Sequence, residues 1–571
     1  MSYGTSDRSV IWLSRLAPSV SGIVATAIFC SLGIAAEPQQ IATSAAELAN
    51  VGNGRAASCE SLKSFHLDAG QIAGAGWIRN ANDLAVIAQT RLAADVVPFC
   101  RVAAVLTPTS DSHIGVEVWL PPAAGWNGKF KVVGNGGLGG TMPYESLAAG
   151  LRRGYATAAT DTGHDNSAAP GVFALGHPER IVDYAYRAVH LTAASGKALA
   201  SAYYGRPARY AYFEGCSQGG QEAMMEAQRY PADYDGIIAG DPDYNQTHHE
   251  VGVHLWVVST LYSDAQSQLS AAQAQLVGNA VNKVCDKLDG VGDGVLEDPR
   301  RCHFDPGVLQ CRGADNKNCL TQPQVTAVRK LWTGPAGAIH VGYYPGLERG
   351  GEATLWRGWI IAETAEENVH AQLGLPFFKY FVFGNPLWDF RTFNYPAESR
   401  EIDKRFASVL DAVDPDLLRF KSRGGKLIHY HGFSDPDVPP RASIWYYERV
   451  ERSFRRGHID PGSFYRLFMV PGMGHCGGGP GANSFDMIGA LEQWVEHGVA
   501  PERILATKYL NDDPKQAPLR THPLCPYPEI ARYSGQGSPD NARNFVCGME
   551  PQPATSSAEE IRVRDQQLRQ F

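Results

Sequence analysis

An α/β fold organised around a parallel sheet, interrupted by one large insertion, is predicted by three observations. Short apolar runs alternate with helical stretches in two separate parts of the chain. A Gly-x-Ser-x-Gly turn follows one of those runs and precedes a helix. Between about residues 242 and 415 the alternation stops, and aromatics, cysteines and turn residues take over. Residues 129–134 (KFKVVG) form the first clear strand and run into the glycine-rich turn Asn135-Gly136-Gly137-Leu138-Gly139-Gly140. A second strand covers 155–160, and apolar spacing predicts a helix over 181–204. The strand at 210–214 feeds the serine turn, 221–229 reads as helix, and 235–240 (DGIIAG) is a buried strand. After the insertion come a helix at 416–423, a strand at 426–431, a helix at 443–454, a strand at 464–470 and a helix at 484–497. Strands alternating with helices at this spacing make parallel βαβ units.

At 571 residues the chain exceeds what one hydrophobic core usually organises. It divides into a framework of residues 37–241 and 416–571 and an inserted lid of residues 242–415. Hydrophobic residues are 44% and charged residues 19%, as in ordinary globular proteins. A net charge of -8 offers no broad attraction for nucleic acid or anionic membrane, which leaves small molecules as the expected partners. Residues 1–36 read as an export signal, with Arg8 and Arg15 before an apolar stretch and Ala35-Ala36 as the cleavage site. Cleavage leaves no membrane attachment and removes Cys30. Ten cysteines remain, and an even count in a secreted or periplasmic protein implies a disulfide framework.

Gly215-Cys216-Ser217-Gln218-Gly219, with Gly220 behind it, has the small residues a strand-to-helix nucleophile elbow requires. Ser217 is the expected nucleophile. Asp435, just after the strand at 426–431, is the expected acid, with Asp437 as its competitor for that role or as a helix cap. His475, after the strand at 464–470, is the expected base and completes the order Ser, Asp, His. If Ser217 and His475 meet, Cys216 and Cys476 are close as well; a disulfide needs Cα atoms about 4.4–6.8 Å apart. A Cys216–Cys476 bridge is therefore predicted. An ester hydrolase also needs N–H donors for the tetrahedral oxyanion, worth about 3 to 4 kcal/mol each. The N–H of Gln218 is one, and that of Gly136 or Gly137 the other. His431 ends the strand carrying the acid and is expected to line the pocket. Trp388, in the aromatic stretch 377–395, is expected to present a flat wall to an aromatic substrate. Residues 285–298 (CDKLDGVGDGVLED) space aspartates among glycines, which suits a hard cation held by carboxylates and by the carbonyls of Val291 and Val295. The spacing does not fit an EF-hand.

Together, Gly-Cys-Ser-Gln-Gly-Gly at 215–220, Asp435, His475-Cys476 and the acidic loop resemble the tannase and feruloyl esterase family of serine hydrolases, over nearly all of the mature chain. The resemblance implies an α/β-hydrolase fold and hydrolysis of phenolic-acid esters of the feruloyl or galloyl type, free or carried on a plant polymer. It also implies a structural Ca²⁺ in the lid, held by Asp286, Asp289, Val291, Asp293 and Val295. The implied disulfides, besides Cys216–Cys476, are Cys59–Cys100, Cys285–Cys302, Cys311–Cys319 and Cys525–Cys547. One branch of the family cleaves mono(hydroxyethyl) terephthalate and uses a lid arginine for the free carboxylate. Arg391, Arg400 and Arg405 are nearby, but none falls at a matching position, so that branch is the alternative reading. A hydrolase-fold binding protein without catalysis is the other.

Overall fold

The computed structural model describes residues 56–88, 96–165, 169–313 and 318–549. The predicted export signal lies outside the described residues. Nine strands form the main sheet: β1 (Gly70–Ile78), β2 (Phe99–Leu106), β3 (Ile114–Leu120), β4 (Lys129–Val133), β5 (Ala156–Thr160), β6 (Tyr210–Cys216), β7 (Gly236–Gly240), β8 (Lys426–Gly432) and β9 (Tyr465–Val470). Their order is β1-β2-β3-β5-β4-β6-β7-β8-β9. From β5 through β9 every neighbouring pair is parallel, whereas β1, β2 and β3 join as an antiparallel flank.

The parallel strands are apolar almost throughout because both faces are covered. Consecutive residues alternate between two cores, as a period of two demands. Phe213, Ile237, Leu427 and Leu467 pack into the larger cluster, and their neighbours Tyr212, Ile238, Ile428 and Phe468 into the second. The main helices around the sheet are α1 (Ala188–Tyr204), α2 (Gln218–Arg229), α3 (Val369–Pro376, in the lid), α4 (Pro440–Arg456) and α5 (Met487–His497). Helix α4 buries Ile444, Tyr447, Val450 and Phe454 at helical spacing. Helix α5 brings Leu491 and Trp494 to the second core, and Asp486 caps it by accepting the Gly489 N–H at 3.0 Å.

The insertion connects β7 to β8 and, among the described residues, contains helices and turns with no strand of a sheet. Capping boxes start two of its helices, Ser270 with Gln273 and Thr321 with Gln324. Three π-helical turns, Glu250–Leu255, Phe377–Val382 and Asp403–Ala407, lie in it. Another, Asp183–Arg187, precedes α1 within an unbroken helical run over 178–204, which includes the helix expected over 181–204. The described residues of lid and framework belong to one compact unit. Two antiparallel pairs follow α5, β10 (Ile504–Tyr509) with β11 (Pro518–Leu524) and β12 (Ile530–Tyr533) with β13 (Phe545–Gly548). All five disulfides form, Cys59–Cys100, Cys216–Cys476, Cys285–Cys302, Cys311–Cys319 and Cys525–Cys547. No described helix is long and apolar enough to cross a membrane.

Candidate active site

Ser217 stands between β6 and α2 with φ 64° and ψ -123°, a conformation costly for a residue with a side chain. The turn is tight enough that a Cβ on Gly215 would lie 2.3 Å from the Gly219 carbonyl oxygen, and one on Gly220 2.3 Å from that of Gly240. Only glycine fits at either place. The turn lifts the hydroxyl out of the sheet's end, where His475 reaches it from the loop after β9.

His475 Nε2 lies 2.8 Å from Ser217 Oγ, and His475 Nδ1 lies 2.8 Å from Asp435 Oδ2. Asp435 is held from its other side, because its Oδ1 accepts the N–H groups of Asp437 at 2.7 Å and Val438 at 3.0 Å. Burial works to raise the Asp435 pKa, but His475 and His431 outweigh it and hold the carboxyl well below its usual range. Burial likewise opposes the imidazolium, yet Asp435 and Asp437 raise His475 to about 10. The arrangement stabilises the charge that appears on His475 when Ser217 gives up its proton. Asp437 takes a different place from Asp435, with Oδ2 3.5 Å from Nε2, on the serine side of the ring.

The disulfide brings Cys216 and Cys476 to a Cα separation of 6.0 Å across 260 residues of chain. Asp241, at the end of β7, makes a second tie. Its Oδ1 accepts the Gly432 N–H at 2.7 Å and its Oδ2 the Cys476 N–H at 3.1 Å, so one buried carboxylate joins the acid strand to the histidine loop. In the sequence Asp241-Pro242 marks only the end of the strand rhythm.

The glycine turn after β4 faces the elbow. Asn135 accepts the Gly219 N–H at 2.9 Å through its carbonyl, and its own N–H donates to Glu222 Oε2 at 3.0 Å. The Gln218 side chain is turned inward, where its Oε1 accepts from Tyr184 at 2.8 Å. The backbone N–H groups of Gln218, Gly136 and Gly137 have no acceptor among the described residues. They are open to a ligand oxygen.

His431 corrects its sequence expectation. It is fully buried and lines no pocket: Nδ1 meets Ser443 Oγ at 2.6 Å, and Nε2 meets the Val438 carbonyl at 2.8 Å and Asp435 Oδ2 at 3.3 Å. It braces the acid from below. Trp388 is stacked on Phe378 and Phe383 within the lid, at ring separations of 5.2 and 4.9 Å. The tryptophan beside the His475 imidazole is instead Trp359, with its ring 5.3 Å away. Leu373 of α3 approaches Gly137, and Leu355 approaches Gly474, so the lid covers both sides of the reacting groups. Of the three lid arginines considered for a substrate carboxylate, Arg391 pairs with Asp389 at 3.0 Å and Arg405 donates to the Val382 carbonyl at 2.9 Å.

Away from the triad, Asp289, Val291, Asp293, Val295 and Glu297 line a cavity of about 20 Å³, closed by Arg520 and His522 from β11. Asp286 closes the loop by accepting the N–H groups of Asp293 at 3.1 Å and Gly294 at 2.7 Å. Burial and the neighbouring acids Glu297, Asp293 and Asp286 push Asp289 up to about 6. Crowded hard oxygen donors around a space for one ion fit calcium. Arg520, 2.6 Å from Asp293 Oδ2, neutralises one of them.

The model of the family described as tannase and feruloyl esterase matches residues 100–548. The chain belongs to the tannase and feruloyl esterase family. As a member it is a carboxylic ester hydrolase. It is 41% identical over 510 residues to an uncharacterized esterase of Xanthomonas campestris pv. campestris, covering 82% of this chain and 88% of that one. It is 34% identical over 512 residues to a mono(2-hydroxyethyl) terephthalate hydrolase of Piscinibacter sakaiensis, covering 76% and 82%. Among solved structures, feruloyl esterase B from Aspergillus oryzae superposes with a TM-score of 0.76 at 28% identity, over 86% of this chain and 99% of that one.

Proposed function

We propose that this tannase and feruloyl esterase family member is an exported serine esterase that hydrolyses phenolic-acid esters, of the feruloyl or galloyl type, through an acyl-enzyme. The observation that carries the reading is the hydrogen-bonded line from Ser217 through His475 to Asp435, 2.8 Å at each step. Ser217 Oγ attacks the ester carbonyl while its proton passes to His475 Nε2. The carbonyl oxygen, now an oxyanion, accepts from the Gln218 N–H and from that of Gly136 or Gly137. His475 returns the proton to the departing alkoxide, which leaves as the alcohol with the acyl group now bonded to Ser217 Oγ. Water then attacks with its proton going to His475, and acid and free serine are released.

Trp359, Leu355 and Leu373 supply apolar walls to an aromatic acyl group. A terephthalate monoester is the less favoured substrate, since Arg391 and Arg405 are engaged within the lid. Five disulfides support an oxidising, extracytoplasmic setting. Calcium held by Asp286, Asp289, Asp293 and the carbonyls of Val291 and Val295 would brace the lid loop, remote from the chemistry.

The test is a panel of methyl ferulate, methyl gallate and mono(hydroxyethyl) terephthalate, with a fluorophosphonate label in parallel. Labelling of wild type, none of Ser217→Ala, and a loss of at least 10³-fold in kcat for that variant are expected. Absence of both labelling and turnover in folded wild type would leave a non-catalytic binding protein. Preference for the terephthalate ester would replace the phenolic reading.

A further inference from the structure

Asp437 has a carboxylate with two unlike ends. Its Oδ2 faces the catalytic imidazole at 3.5 Å, while its Oδ1 is buried with no hydrogen-bond partner among the described residues. Three imidazoles surround that unpartnered oxygen: His370 Nδ1 at 3.5 Å, His254 Nδ1 at 3.7 Å and His249 Nε2 at 3.9 Å, the last being committed to the Asp437 carbonyl. The two Nδ1 nitrogens are 2.9 Å from each other. His370 opens α3, and His254 projects from the π-helical turn Glu250–Leu255, a kind of irregularity that often marks functional sites. Their approach depends on Gly374, one turn along α3, where a Cβ would sit 2.3 Å from that of His254.

Two facing Nδ1 atoms share at most one proton, which leaves Oδ1 of Asp437 without a donor. A cation satisfies all three atoms. A triangle with edges of 2.9, 3.5 and 3.7 Å has its centre about 2 Å from each corner, the bond length zinc makes to imidazole nitrogen and carboxylate oxygen. We propose that His254, His370 and Asp437 bind one zinc ion, with a fourth coordination position open.

His249 supports the carboxylate ligand, since its Nε2 donates to the Asp437 carbonyl at 3.0 Å and its Nδ1 faces Asp243 Oδ1 at 3.1 Å. An outer ring of this kind orients metal ligands. Two nitrogens and one oxygen suit zinc and disfavour calcium, which the acidic loop at 286–295 suits instead. The zinc ion ties two lid histidines to the acid loop, one residue from the Pro436 and two from the Asp435 positions.

The experiment is elemental analysis of the purified full-length protein after equilibration with zinc chloride and removal of excess metal, for wild type, His254→Gln/His370→Gln and Asp289→Asn. One zinc per chain in wild type and in Asp289→Asn, with background zinc in the double variant, is expected. Cobalt(II) in place of zinc should give the intense visible bands of a four-coordinate site. Less than a tenth of an equivalent of zinc in wild type, or stoichiometric zinc in the folded double variant, overturns the proposal. If the double variant does not fold, the cobalt spectrum of wild type decides, and pale six-coordinate cobalt or none refutes the site. Neither readout requires ester turnover, so failure here is separate from failure of the esterase reading.

Discussion

Glu222 holds the oxyanion side of the site together from within α2. It is fully buried, it accepts the Asn135 N–H, and burial raises its pKa to about 8. The folded protein therefore keeps a proton that the unfolded chain releases above the ordinary carboxyl range, and stability falls as pH rises from about 4.5 to 8. Glu222→Gln retains an oxygen acceptor without the charge. Thermal melts across that window should show a shallower decline for the variant, with an advantage of about 1–3 kcal/mol over wild type near pH 8. Trp359→Ala removes the flat face beside His475; KM for an aromatic ester should rise about 10-fold or more, with a smaller change for an acetate ester. Residue by residue, what was legible depended on local chemistry. Ser217 and His475 each stand after an apolar strand and among glycines, so their meeting at the sheet's end could be read from neighbours. Trp359 carries no such mark, because Trp356-Arg357-Gly358-Trp359 is a kinked turn whose partner is about 115 residues away. His431 misled for a simple reason: the end of a strand can point into the pocket or beneath it, and a single side chain does not say which.

Each element of the site is short, and what makes them a unit is how their ends are tied. The Cys216–Cys476 bridge closes 260 residues, for which the chain-entropy account gives about 5 kcal/mol, an upper value. Cys216→Ser/Cys476→Ser should melt at lower temperature. It should also lose more activity at 25 °C than its folded fraction explains, since Asp241 alone would then hold the histidine loop. Circular dichroism and kcat on the same sample check both. The strands β4 to β9 were legible because burial on both faces makes them apolar almost throughout. Strands β1 to β3 were not: Gly70–Ile78 is small-residue chain, and although the short helix Ala81–Ala88 follows it, the strand pairs antiparallel with β2 and so makes no parallel βα unit. Helix α2 begins at Gln218, three residues earlier than its sequence suggests, because Gly219 and Gly220 discourage helix locally while the elbow's packing requires it.

Across the molecule, the lid is the part least legible from sequence, because helices joined by turns and disulfides leave no repeating pattern and their packing is set by distant partners. That Asp289, Asp293 and Glu297 gather around one cavity could be read, because they lie close together in the chain. Added calcium should raise the melting temperature, by about 2.7 kcal/mol of stabilisation at 100 times the dissociation constant, and Asp289→Asn should abolish that response while leaving the protein folded. Calorimetry with and without calcium measures it.

The lid leaves the sheet at Gly240 and returns at Lys426, on strands that pair side by side as β7 and β8. A segment spliced in between neighbouring strands can be exchanged as a cassette. Chimeras cut at these two seams would transplant the walls around the acyl group, Trp359, Leu355 and Leu373 included, while Ser217, Asp435 and His475 stay on the host. Selectivity and reactivity are in this way separately heritable within one gene.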